Sequence, residues 1–257
     1  MNKEIVLLIH GFGSNNRVWD AYKELFLENN FCVVVPNLRH HGPGDSLVGF
    51  EKVGLIDYVD DLETLIKSFG LQPIIVGYSM GGLLALKLME RGYGKLGVCL
   101  APAAPRGINA ISLSVLRLFF RNLLVWRFWK KVHKPRFSSA RFGALGHLPI
   151  SEAREIFELT SSAESGRVGV EIGFPIFDRR RASSLDETKI KCPVLVIGAQ
   201  RDTVTPIGIA RGVARMIADV SDYIEYPKFG HWLMSGQEFD KVSSDCLKWI
   251  ARKLDKG

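Results

Sequence analysis

The stretch Pro73-Ile74-Ile75-Val76-Gly77-Tyr78-Ser79-Met80-Gly81-Gly82-Leu83-Leu84-Ala85-Leu86 changes character at a single residue. Its first half is a β-branched apolar run, as expected of a strand buried on both faces. From Met80 to Arg91 the apolar residues follow a helical period. Between the two halves, the spacing Gly77-x-Ser79-x-Gly81 fits a turn too sharp for neighbouring side chains. Such a turn lifts the Ser79 hydroxyl above a sheet and sets it at a helix N-terminus, where negative charge is favoured. Five residues with three fixed recur by chance, and the plainer reading is a serine that merely starts a helix. The strand before it and the helix after it weigh against that reading.

Outward from this stretch the pattern repeats. Short apolar runs occupy Glu4–His10, Cys32–Asn37, Leu96–Leu100, Pro193–Ala199 and Tyr223–Pro227. Helix-period segments lie between or after them at Arg17–Glu28, Leu55–Phe69, Pro206–Ile217 and Gln237–Leu254, with Pro206 suited to a first helical turn. Strands alternating with helices predict an α/β fold: an open, mostly parallel sheet of about six strands with helices on both faces. The alternation lapses once. From Ala103 to Thr188 there are helical patterns and no convincing buried strand; Pro102 and Pro105 open the segment and Lys189–Pro193 leads back. The expected organisation is a core of residues 1–102 and 189–257, with residues 103–188 inserted as a helical cap. For 257 residues, one domain with an insertion is the simplest count.

The composition, 47% hydrophobic and 24% charged, is that of a globular chain. Cys32, Cys99, Cys192 and Cys246 form no CxxC pair and no metal-ligand spacing, so no metal site is expected; three of them lie in or beside apolar runs, so small buried thiols rather than disulfides, and a reducing compartment, are expected. The apolar start, Ile5–Ile9, is too short for a secretory signal, and no uninterrupted apolar stretch reaches about 18 residues. The expected location is the cytoplasm. The net charge of +7 invites a nucleic-acid reading. Its distribution argues otherwise, because Arg106, Arg117, Arg121, Arg127, Lys130, Lys131, Lys134, Arg136 and Arg141 crowd one segment that holds no Asp or Glu.

In open parallel sheets ligands bind beyond the carboxyl ends of the strands. His10-Gly11-Phe12-Gly13 follows the first strand, Ser79 the third, Asp202 the fifth and His231 the sixth, so topology alone gathers them at one edge. A serine hydroxyl is a poor nucleophile until a base takes its proton, and the base must itself be oriented. His40, His41, His133 and His147 compete with His231 for that role. Only His231 combines a loop past a strand with the chain order Ser…Asp…His. For the acid, Asp202 is preferred to Asp178 and Asp186, against the plain alternative of a turn residue before the helix at Pro206. Backbone N–H groups of Phe12 and Met80 are placed to meet a developing oxyanion, with Gly11 and Gly13 opening the first loop to close approach. A phosphate cradle at Gly11-Phe12-Gly13 is disfavoured, since neither G-x-G-x-x-G spacing nor a P-loop lysine follows.

Taken together, His10–Gly13, Pro36–Ser46, Gly77–Gly82, Asp202 and Gly230-His231 resemble the α/β-hydrolase superfamily over nearly the whole chain. The resemblance implies a Ser79–His231–Asp202 triad, a cap after the fourth strand and no cofactor. The first run corresponds to the family's third strand, so the usual first two strands are expected to be missing. Two further departures stand out. Asn37-Leu38-Arg39-His40 replaces the usual Asp-x-Arg-Gly, and a serine nucleophile disfavours the haloalkane dehalogenase and epoxide hydrolase branches. The expected activity is hydrolysis of a small carboxylic ester with an apolar acyl or aromatic group. Carbon–carbon bond hydrolysis, hydroxynitrile cleavage and a slow-turnover ligand receptor are alternatives on the same triad.

Leu116–Lys131 is the most unusual stretch: Arg117, Arg121, Asn122, Arg127 and Lys131 fall roughly on one face of a continuous helix, and large apolar residues fill the rest. The plain expectation is that this apolar surface packs on the cap and core. The sharper one is a substrate pocket, with Trp126, Trp129 and Trp232 as candidate lining residues. Transient contact with an anionic membrane, or a homodimer through the same face, are the remaining expectations for partners of an otherwise monomeric chain.

Overall fold

Each central strand is a short run of Val, Ile and Leu, and burial on both faces explains why no polar alternation interrupts it. The computed structural model describes residues 3–255. In chain order the core elements are β1 (Ile5–Ile9), α1 (Asp20–Glu28), β2 (Cys32–Val34), α2 (Leu55–Lys67), β3 (Ile74–Tyr78), α3 (Met80–Glu90) and β4 (Leu96–Leu100). The inserted segment supplies α4 (Leu113–Leu123), β5 (Val132–His133), α5 (Phe137–Gly143), α6 (Ile150–Thr160), β6 (Glu164–Ser165) and α7 (Gly166–Gly173). The core resumes with β7 (Val194–Ala199), α8 (Gly208–Met216), β8 (Ser221–Tyr226) and α9 (Gly236–Leu254).

Six strands form one parallel sheet in the order β2-β1-β3-β4-β7-β8. Alternate side chains feed two apolar layers. Leu7, Ile9, Ile75, Cys99, Val194 and Val196 pack with α2, α3 and α8 on one face. Val6, Leu8, Val76, Leu100, Leu195 and Ile197 pack with α1 and α9 on the other. The chain leaves β1 toward β2, then crosses back to β3 on the far side. The strand order therefore reverses between β1 and β3, and crevices at such reversals are where open sheets bind ligands.

The edges depart from the sequence-based expectation for physical reasons. β2 stops at Val34 rather than Asn37, because side chains take over from the ladder: Asn37 Oδ1 accepts from Asn16 N at 2.9 Å and Asn16 Nδ2 donates to Val35 O at 3.1 Å. The inserted segment is not wholly helical, since β5 and β6 pair antiparallel through Val132–Ser165 and His133–Glu164. A two-residue strand leaves no period to read. Leu116–Lys131 is not one helix either. α4 ends at Leu123, Arg127 adopts φ +53°, and a short 3-10 turn follows at Phe128–Lys130, so Arg127 and Lys131 share no face with Arg117 and Arg121.

Candidate active site

Ser79 occupies the turn between β3 and α3 with φ +56° and ψ −119°, a backbone region that non-glycine residues hold only when their surroundings fix them. Three backbone hydrogen bonds do the fixing: Ser79 N donates to Leu100 O at 2.9 Å, and Ser79 O accepts from Gly82 N and Ala103 N, each at 2.9 Å. The glycines are needed because backbone fills the space around them. A Cβ at Gly77 would lie 2.1 Å from Gly81 O, and one at Gly81 would lie 2.0 Å from Ile9 O.

The turn after β8 brings His231 Nε2 to 3.2 Å from Ser79 Oγ. His231 Nδ1 lies 2.7 Å from Asp202 Oδ2, in the loop between β7 and α8. Donating Nδ1–H to the carboxylate leaves Nε2 bare to accept the serine proton. Asp202 is itself clamped: Oδ1 accepts from Val204 N at 2.8 Å and Thr205 N at 2.7 Å, and Thr205 Oγ1 lies 2.8 Å from Oδ2. Tyr78 OH steadies the far side by donating to His231 O at 3.1 Å. All three side chains are buried. A buried, oriented serine–imidazole–carboxylate relay can raise the nucleophilicity of a hydroxyl. Among the described residues, no group of three or more His, Cys, Asp or Glu is arranged to hold a metal.

Two cavities meet at Ser79. One, of about 200 Å³, is lined by Gly11, Phe12, Tyr78, His133, Phe157 and Trp232, among others. The second, of about 110 Å³, is more apolar and runs past Met80, Ala104, Val115, Ile172 and Ile209. Phe12, Phe119, Asn122, His133 and Val204 touch both cavities, so the inserted segment forms much of their shared wall. Phe119 meets Phe12 edge-on at 5.8 Å. Among the described residues the Phe12 and Met80 amides donate to no protein acceptor.

The three tryptophans separate. Trp232 lines the larger cavity and donates Nε1–H to Ser235 Oγ at 2.8 Å. Trp126 is 80% exposed and lies in neither cavity at Ser79, while Trp129 borders a different groove, beside Phe174 and Phe177. The helix break before Arg127 turns both away from the interior. From α4 the cavities are lined instead by Val115, Leu116, Leu118, Phe119 and Asn122.

A buried polar cluster, which no motif in the sequence marks as a group, braces the loop after β1. Glu164, 1% exposed, accepts from Tyr58 OH at 2.7 Å, His41 Nε2 at 3.1 Å, Ser165 N at 2.9 Å and Gly13 N at 3.2 Å. The other nitrogen of His41 lies 2.9 Å from Arg39 O, so both ring nitrogens face acceptors and the imidazolium is the form that satisfies them. Burial alone would lower the His41 pKa, but the charge and hydrogen bond of Glu164 outweigh it and the pKa is raised. His10, ring to ring with His41 at 5.0 Å, is pushed down to about 3, by burial first and by the charge of His41 second. Neutral His10 donates Nδ1–H to Gly11 O at 3.0 Å and accepts at Nε2 from Leu38 N at 3.1 Å, so both of its nitrogens are already committed.

A raised folded-state pKa contributes stability that is complete below the unfolded value, about 6.5, and is lost as pH rises through the folded one. Replacing Glu164 with Gln removes the charge from a buried pair, an expected cost of about 3 kcal/mol, or roughly 6–12 °C in melting temperature. The gap between wild type and Glu164→Gln should be full below about pH 6.5, the unfolded histidine value, and should narrow as pH rises above it through the raised folded-state pKa of His41. Thermal melts across that range check it; a gap independent of pH would mean His41 is not charged in the folded state.

Residues 6–243 match the alpha/beta hydrolase family, and the chain belongs to that family. Along nearly its whole length it is similar to the pimeloyl-[acyl-carrier protein] methyl ester esterase of Chromobacterium violaceum, 27% identical over 265 residues that cover 95% of this chain and 94% of the other. Among solved structures it is similar to a monoacylglycerol lipase from Paleococcus ferrophilus, with a TM-score of 0.73, 18% identity and coverage of 98% and 97% of the two chains. An esterase from Exiguobacterium antarcticum superposes with a TM-score of 0.75 at 19% identity, covering 97% and 92%. At these identities the two structures speak for the fold alone.

Proposed function

We propose that this chain is a serine esterase that cleaves carboxylic esters through an acyl-enzyme, with residues 103–188 acting as a cap over the site. The observation that carries the proposal is the unbroken relay from Asp202 Oδ2 through His231 to Ser79 Oγ, with steps of 2.7 and 3.2 Å. Ser79 Oγ attacks the ester carbonyl as His231 Nε2 takes its proton. The developing oxyanion is held by the Phe12 and Met80 amides, which have no competing acceptor among the described residues. His231 then protonates the departing alcohol, and it activates the water that releases the acid and restores Ser79.

The paired cavities fit two halves of an ester. The apolar one beside Met80, Ile172 and Ile209 suits the acyl chain, and the larger one beside His133 and Trp232 suits the alcohol. Similarity to a relative named as a methyl ester esterase supports ester chemistry. Steady-state hydrolysis of p-nitrophenyl esters from acetyl to palmitoyl tests the reading. Acyl chains of about four to eight carbons are expected to outrun both ends of the series, since they fill the apolar cavity without overrunning it. Absence of turnover across the series would sink the esterase reading and bring carbon–carbon bond hydrolysis or ligand reception forward.

A further inference from the structure

Helix α4 is apolar on two faces, and only one of them is used inside the protein. Val115, Leu118, Phe119 and Asn122 face the cavities at Ser79. On the opposite side Leu113, Phe120 and Leu124 recur at i, i+7 and i+11, the spacing of a single stripe along a helix, while Leu116 sits at its border and also lines the apolar cavity. Leu113 is 87% exposed, Phe120 57% and Leu124 70%, and the stripe runs on to Trp126 at 80%. Large apolar side chains in an unbroken exposed row mark an interaction surface rather than ordinary surface scatter.

The charge around this row is of one sign. Arg117 and Arg121 border it on α4, and Arg127, Lys130, Lys131 and Lys134, all exposed, follow directly. No Asp or Glu occurs from Arg106 until Glu152. The arrangement puts apolar groups at the centre and cations at the flank. An acidic protein partner calls for cations at the centre of contact. A bilayer boundary takes the apolar row into its acyl layer while arginine and lysine reach outward to phosphate groups. We propose that the outer face of α4, with the turn that carries Trp126, docks on anionic lipid membranes. Docking there would hold one wall of the Ser79 cavity against the bilayer, which favours esters partitioned into lipid. No helix of the described residues is long and apolar enough to cross a membrane, so the contact is peripheral.

Sedimentation with vesicles tests this without relying on turnover, because Ser79→Ala protein must bind as wild type does whether or not the esterase reading holds. Phosphatidylcholine vesicles with about 30% phosphatidylglycerol should carry the protein down at about 50 mM salt and release most of it at about 500 mM, where screening is short-ranged. Phe120→Glu and Trp126→Glu each remove an exposed side chain and should leave the melting temperature unchanged. Each should weaken binding roughly tenfold or more, the worth of withdrawing one large apolar group from an apolar phase. No binding to the anionic vesicles would overturn the proposal. So would binding indifferent to both variants, which would reflect charge alone. A dimer in sedimentation velocity that Phe120→Glu abolishes, with no vesicle binding, would overturn it in favour of a second copy on this face.

Discussion

Ser79→Ala is expected to lower turnover of the best p-nitrophenyl ester by about 10⁶-fold while leaving the fold intact, since a triad that works as a unit loses nearly everything with its nucleophile. Retention of the fold follows from how the residue is held. Its strained φ is maintained by the backbone bonds to Leu100, Gly82 and Ala103, none of which involves the hydroxyl. Alanine fits the same space and loses only the 3.2 Å contact with His231. Steady-state rates beside melting curves separate the outcomes. Lost turnover with an unchanged melt assigns the chemistry to Oγ. A residual rate within about a hundredfold of wild type would mean that another group performs it, because oxyanion donors and binding alone supply only about 10³–10⁴ over water.

Much of this site is legible in the sequence because its parts are local. Five unbroken residues of β1 or β3 can only be strands buried on both faces, and a serine between Gly77 and Gly81 can only sit on a turn whose neighbours lack side chains. Asp202 and His231 follow from chain order, since parallel strands deliver their trailing loops to one edge. What escapes such a reading is non-local. Glu164 belongs to no motif, and its partners Tyr58, His41 and Gly13 lie 106, 123 and 151 residues away, so only the folded chain shows that one carboxylate ties the inserted segment to the loop after β1. Trp126 and Trp129 read as pocket residues because large apolar groups are normally buried. The end of α4 at Leu123 takes Trp126 off the helix, and the left-handed Arg127 redirects the chain that carries Trp129; no propensity foretells φ +53° at an arginine.

Asp202→Asn should cost about 10⁴ in turnover near neutral pH, and the two backbone donors to Asp202 explain why so small a change costs so much. Val204 N and Thr205 N both require an oxygen at the Oδ1 position, at 2.8 and 2.7 Å. An asparagine that satisfies them turns its NH₂ toward His231, where a hydrogen-bond acceptor now stands 2.7 Å from Nδ1. Two donors cannot face each other, so His231 must bare Nδ1 and carry its proton on Nε2. Nε2–H then points at Ser79 Oγ and cannot accept from it. Flipping the amide would restore the tautomer only by setting an NH₂ against both backbone N–H groups. The same clamp predicts that the fold tolerates the change, because the turn leading into α8 keeps its acceptor. Rates and melts of Asp202→Asn therefore distinguish two roles for one residue. A loss on the order of 10⁴ with a near-native melt makes Asp202 the orienting acid, whereas a loss of less than about tenfold would reduce it to a turn residue ahead of α8.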